Sequence, residues 1–180
     1  MIETDRLNCE PLQSHHATAM FPVLQAEALY TYLPTDPPAS LESLQKQYDF
    51  LSGGKSPDST EDWLNWILFL KADNRAIGYF QATVRPQDSC DIAYSIHPDF
   101  WRRGLAKEAS SRLVSHLFEA YEIQSMTAYI DTRNSASIRL VESLGFNKIK
   151  YIRAADEFKG HVSDEFVYQV LREDWASLSP

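Results

Sequence analysis

The chain has 180 residues, 44% of them hydrophobic and 23% charged, the size and balance of one soluble domain that buries a core without staples. Its formal charge of −8, from 17 basic and 25 acidic side chains, excludes broad neutralisation of nucleic-acid phosphates. Two lone cysteines (Cys9 and Cys90) support neither a disulfide nor a metal site, the Met1–Asp5 start lacks a signal-peptide pattern, and no apolar run is long enough to cross a bilayer. The expectation is a single domain over residues 1–180 in the cytoplasm, with no nucleic-acid or membrane partner and no metal; a homodimer stays open.

Arg6 to Leu12 alternates weakly and predicts an opening strand. His15 to Tyr30 predicts a helix with Ser14 as N-cap and Ala17, Met20, Phe21, Leu24 and Ala28 on its apolar face, with His15 and His16 at the surface. Pro34, Pro37 and Pro38 break the chain, and Ser40 caps a second helix that stops at Gly53-Gly54. Ser52 to Asp62 reads as a loop. Trp63 to Leu70 and Ala76 to Val84 flank the turn pair Asp73-Asn74 and predict a hairpin, followed by a strand from Cys90 to His97.

A helix from about Gly104 to Ala120 comes next, then a strand from Gln124 to Asp131 with Met126, Ala128 and Ile130 on one face. A short helix over Ser135 to Leu144 stops at Gly145, and strands near Phe146–Arg153 and Phe166–Leu171 close the pattern. The order is α+β: a mixed, mostly antiparallel sheet of about six to seven strands flanked by helices. One strand–helix–strand crossover should place residues 92–97 and 124–131 parallel and adjacent.

Three segments bear on chemistry. Gly53-Gly54-Lys55-Ser56 mimics the end of a phosphate-binding P-loop, but Asp49 stands where the leading glycine must fall and Pro57 where a helix must start, so that reading fails. Ile92 to Ala109 reads as a strand, a loop with Arg102, Arg103 and Gly104, and the start of a helix. Its free backbone N–H groups and positive dipole end suit phosphate. Asp131 to Phe146 opens a helix with Asn134 as N-cap and Ser137 in the first turn.

The latter two segments together, His97-Pro98-x-x-Trp101-x-x-Gly104-x-Ala106-x-x-Ala109 followed by Asn134-x-x-Ser137 and Leu144-Gly145-Phe146, resemble the GNAT superfamily of acyl-CoA-dependent N-acetyltransferases. The opening Thr4-Asp5-Arg6-Leu7 and the Trp101 form of the loop resemble its Rim-type branch of ribosomal-protein N-terminal acetyltransferases, over roughly residues 4 to 171. The resemblance implies acetyl-CoA as co-substrate, with Arg102, Arg103, Gly104, Leu105, Ala106 and Lys107 around its pyrophosphate. It implies a splayed gap between the parallel strands for pantetheine, and an Ile96 N–H that polarises the thioester and stabilises its oxyanion. Asn134 would bind the pantetheine arm, with Ser137 close to the sulfur.

The implied activity is direct transfer of an acetyl group to a primary amine, on a protein N-terminus or a small molecule, in a ternary complex. The alternative is a non-catalytic acyl-CoA-binding or sensing module of the same fold. Many relatives carry a tyrosine acid where Val141 stands here, which leaves Ser137 as hydrogen-bond donor to the leaving thiolate. Asp131 is the expected base, with His97, Asp91 and Asp164 as competitors and Tyr94 as a residue to order water. The substrate side should comprise the Tyr30–Pro38 bend and the Ser52–Asp62 loop; Trp63 and Trp66 could join that wall but are expected in the core.

Overall fold

The structure, a computed structural model, describes residues 1–178; the last two residues of the expected domain lie outside that range. One eight-stranded sheet runs in the order β1-β2-β3-β4-β5-β6-β8-β7. Its strands are β1 (Ile2–Glu3), β2 (Leu7–Pro11), β3 (Asp62–Leu70), β4 (Ala76–Arg85), β5 (Ser89–Ile96), β6 (Ser125–Asp131), β7 (Asn147–Phe158) and β8 (His161–Leu171). The helices are α1 (Ala17–Val23), α2 (Leu41–Leu51), α3 (Leu105–Ala120), α4 (Ser135–Ser143) and α5 (Arg172–Leu178). The eighth strand is the two-residue β1, paired with β2 through Ile2 and Glu3, too short to leave a periodic signal.

All pairs are antiparallel except β5 with β6. The core divides between the two faces. Leu113, Val114 and Leu117 of α3 and Val141 of α4 pack with Phe80, Ile92, Ile96, Met126, Ile130 and Tyr168. On the other face Met20, Leu24, Leu44 and Tyr48 pack against Ile67 and Phe69. Among the described residues no helix is long and apolar enough to cross a membrane, and no group of three or more His, Cys, Asp or Glu is placed to hold a metal ion.

Several expectations are corrected. The first helix does not run from His15 to Tyr30: a single 3-10 turn at Ser14–His16 leads into the seven-residue α1, and another 3-10 turn covers Glu27–Tyr30. Pro22 lies inside α1 and lacks the N–H that would continue its hydrogen-bond ladder. Gln13, not Ser14, occupies the cap position. His16 is buried rather than at the surface, and its Nδ1 accepts from the Gln13 N–H. The two closing strands are longer than expected, and residues 154–165 between their expected bounds form the distal half of the β7–β8 hairpin. Its turn residues Lys159 and Gly160 both have positive φ, as a type I′ hairpin turn requires. The loop at 52–62 is tied by a Lys55–Asp62 ion pair and by Ser56 and Thr60 donating to Asp58. Trp66 lies in the core, as expected from the sequence, edge-on to Phe80 and His116.

Candidate active site

The parallel contact between β5 and β6 is three pairs long: Ser89 with Ser125, Cys90 with Met126 and Asp91 with Thr127. Adjacency therefore does not extend along 92–97. Beyond Asp91 the strands diverge, β5 staying on β4 as far as Ile96 and β6 staying on β8 as far as Asp131. The N–H of His97 donates to the Ile77 carbonyl. Backbone groups in an antiparallel strand alternate in direction, so the N–H groups of Tyr94 and Ile96 face away from β4, toward the gap. The Ile96 carbonyl accepts from Trp101 Nε1 at 2.5 Å, which ties the loop after the strand back onto the strand's end.

Gly78, unremarked in the sequence, sits opposite Ile96. A Cβ there would lie 2.0 Å from the Ser95 carbonyl oxygen and 2.9 Å from the Ile96 Cα. Glycine is what lets β4 press this closely against the end of β5.

The loop of residues 101–104 is solvent-exposed and turns through left-handed φ values at Arg102 (59°) and Gly104 (75°). Gly104 occupies the N-cap of α3 without a capping side chain. The first intrahelical bond runs from the Glu108 N–H to the Gly104 carbonyl, so the amides of Leu105, Ala106 and Lys107 have no intrahelical acceptor. By contrast α2 and α4 are capped internally, by Ser40 and Asn134. Of the cationic side chains, Arg103 lies over the Phe100 ring, while Arg102 and Lys107 are exposed.

Across the gap, Asn134 Oδ1 accepts from the Ser137 N–H at 3.1 Å, so what Asn134 offers a ligand is its Nδ2 donor. Ser137 Oγ lies 3.0 Å from the Tyr94 hydroxyl, which is 3.3 Å from the Ser137 carbonyl. This pair joins β5 to α4 where the two strands have already separated. Burial pushes the Tyr94 phenol up to about 12, an effect the Ser137 hydrogen bond offsets in part, so the phenol stays neutral and hydrogen-bonding. Val141 is fully buried in the core.

Asp131 is buried, and its carboxylate is engaged through both oxygens. It accepts from the Arg133 N–H, Nε and NH2 at 2.8, 2.9 and 2.6 Å and from Ser163 Oγ at 2.7 Å. Burial works against the charge, but the hydrogen bonds from Arg133 and Ser163 outweigh it and hold the carboxyl down at about 2. Arg133 in turn lies over the Tyr32 ring. The competing groups are also engaged. Asp91 pairs with Arg85 at 2.6 Å, Asp164 accepts from Tyr151 and the Ala154 N–H, and His97 Nδ1 accepts from the Asp99 N–H.

Glu165 behaves differently. It faces Asp131 across the β6–β8 pair, and burial, with the charges of Asp156 and Asp131, raises its carboxyl above the ordinary value. A glutamate in an unpatterned strand leaves no mark in sequence. The β7–β8 turn reaches over this face, where Lys159 Nζ donates to the Tyr30 and Thr35 carbonyls at 2.9 and 3.1 Å.

A splayed parallel pair, an uncapped helix N-terminus behind a left-handed loop, and an Asn–x–x–Ser cap across the gap form one constellation. The profile described as "Acetyltransferase (GNAT) domain" matches residues 6–147. The chain belongs to the GNAT acetyltransferase family. This acetyltransferase is 26% identical over 174 residues to YoaA of Bacillus subtilis (strain 168), an N-acetyltransferase described as uncharacterized; the match covers 96% of this chain and 97% of that protein. It is 33% identical over 119 residues to the [ribosomal protein bS18]-alanine N-acetyltransferase of Salmonella typhimurium, across 63% of this chain and 76% of that one, in keeping with the Rim-type resemblance. Its fold matches spermidine N-acetyltransferase from Vibrio cholerae, solved with CoA and spermine, at a TM-score of 0.80 and 15% identity, over 94% of this chain and 98% of that one.

Proposed function

We propose that this acetyltransferase moves the acetyl group of acetyl-CoA to a primary amine in a ternary complex. The observation that carries the reading is the gap beyond Asp91 and Thr127, with β5 backbone amides turned into it. The residues present fit coenzyme A: Leu105, Ala106 and Lys107 amides with Gly104 for the pyrophosphate, Asn134 Nδ2 for a pantetheine carbonyl, and the Ile96 N–H for the thioester oxygen. Acetyl-CoA supplies an activated acyl group on a thiol of pKa roughly 8.5, by analogy with cysteine, that leaves with little help.

Ser137 acts as hydrogen-bond donor toward the departing sulfur. Ser137 Oγ donates to the Tyr94 hydroxyl, which itself donates to the Ser137 carbonyl, so Tyr94 holds Ser137 in place beside the gap, and the serine proton must turn from Tyr94 to reach the sulfur. Asp131 holds Arg133 and the turn before α4; a carboxyl at about 2 is too weak a base to deprotonate an ammonium. Proton removal falls to Glu165, whose raised pKa and position on the face opposite α3 suit a base acting directly or through water.

The acceptor is an amine on a protein N-terminus or a small molecule. The named acceptors of the similar proteins differ, so the fold does not choose between them. The bend at 30–38, fastened by Lys159 and by Arg133 under Tyr32, forms the wall on that side. Buried free thiols at Cys9 and Cys90 suit a reducing compartment such as the cytoplasm.

The test is incubation with acetyl-CoA and a panel of amines and N-terminal peptides, reading free thiol and acetylated product. Amine-dependent thiol release supports the reading. CoA binding with no release above hydrolysis overturns it in favour of an acyl-CoA sensor.

A further inference from the structure

Thr4-Asp5-Arg6-Leu7 has no part in the transfer chemistry, yet it touches the loop before α3. Arg6 uses one guanidinium for two tasks: Nε donates to Glu108 Oε2 at 2.6 Å, and NH1 donates to the Arg103 carbonyl at 2.9 Å. The Arg6 N–H and Thr4 Oγ1 both donate to the other Glu108 oxygen, at 2.8 and 2.5 Å. Leu7, fully buried at the start of β2, fixes this segment to the sheet. Glu108 lies in the first turn of α3, so the contacts grip both the helix and the loop that precedes it.

The bond to the Arg103 carbonyl has a specific consequence. A trans peptide is planar, with its C=O and N–H pointing in opposite directions. Holding the Arg103 carbonyl toward Arg6 therefore turns the Gly104 N–H away from it. It also keeps a carbonyl dipole from facing an anion at the α3 terminus. Glycine at 104 tolerates φ of either sign, so the backbone itself does not fix the orientation of the 103–104 peptide. A Cβ on Gly104 would lie 3.5 Å from Arg6 NH2, so the two are already in contact range.

We propose that Arg6 is a positioning residue for the anion site: it locks the 103–104 peptide so that the loop presents amides rather than a carbonyl to the pyrophosphate. The inference rests on the reading that coenzyme A binds there. Arg6 acts through the backbone and Glu108, and lysine cannot replace it, because a single ammonium on that stem does not serve both Glu108 Oε2 and the Arg103 carbonyl in the planar fork geometry.

The experiment compares binding of CoA and of pantetheine, which lacks every phosphate, to the full chain and its Arg6→Ala, Arg6→Lys and Thr4→Val variants. The wild-type protein should prefer CoA strongly. Arg6→Ala should lose CoA affinity by roughly tenfold, with pantetheine affinity unchanged, and Arg6→Lys should show most of the same loss. Thr4→Val, which leaves the Arg103 bond in place, should keep the preference. If the wild type does not prefer CoA, the pyrophosphate assignment itself falls. If it does and the Arg6 variants keep that preference, or lose both ligands equally, the positioning role is overturned. Should Arg6→Ala fail to fold, Arg6→Lys carries the same comparison, and full retention by lysine counts against the proposal.

Discussion

Replacing Asp131 with asparagine separates a structural carboxylate from a catalytic one. In the folded protein this carboxyl titrates at about 2 against an ordinary 3.8, because Arg133 and Ser163 bind its charged form more strongly than burial opposes it. That gap corresponds to roughly 2.5 kcal/mol in favour of the folded carboxylate. The Arg133 side chain is 45% exposed, and solvent screening reduces the contribution to about 1–2 kcal/mol.

The folded pKa is depressed, so the stabilisation is complete above the unfolded value and is lost as pH falls through the folded one, between about pH 5 and pH 2. Asp131→Asn should therefore be less stable by about 1–2 kcal/mol at pH 7 in urea denaturation, with the difference from the wild type shrinking as the pH drops below about 4. Because asparagine still offers an oxygen to the Arg133 N–H, kcat should fall by less than about tenfold. A loss of about a hundredfold or more in kcat with unchanged stability would make Asp131 the proton acceptor and refute the structural assignment.

Gly78→Ala should force β5 away from β4 at Ile96. It should cost roughly 1–3 kcal/mol in denaturation experiments, as overpacking does, and lower kcat by more than it weakens CoA binding. Ser137→Ala should reduce kcat by roughly tenfold or more with little change in the KM for acetyl-CoA, and Tyr94→Phe should reproduce part of that loss in steady-state kinetics. Gly104→Glu should abolish CoA binding by calorimetry in a chain that stays folded by circular dichroism, because its carboxylate would oppose the pyrophosphate. Glu165→Gln should lower kcat and remove the acid limb of its pH profile, a limb set above the usual glutamate range by burial.

The loop at 101–107 and the cap at Asn134 could be read from sequence because both are local: a glycine before a helix and an asparagine three residues before Ser137 imply their geometry without distant partners. The strand–helix–strand order likewise fixed which strands would be parallel. It did not show that three rungs suffice, since nothing in the period of Ile92–Ile96 distinguishes a paired strand from a diverging one. The surroundings of Asp131 are not legible, because its carboxylate is held by a side chain two residues on and by Ser163, far along the chain on β8. An unbroken helix would leave His16 exposed, whereas the 3-10 turn at Ser14–His16 places it inside. The distal β7–β8 hairpin was invisible because Ala154–Glu157 is exposed and irregularly paired.

The three-rung contact between β5 and β6 makes the sheet a book with two leaves and a short spine. One leaf is β1 to β5, the other β6, β8 and β7, and the helices α3 and α4 with the Tyr94–Ser137 bond are what keep the covers from swinging. Any occupant that bonds both inner edges works as a splint, so its concentration sets how rigid the whole sheet is. Melting temperature and the exchange of the Tyr94 and Ile96 amides should then report occupancy without any reaction taking place.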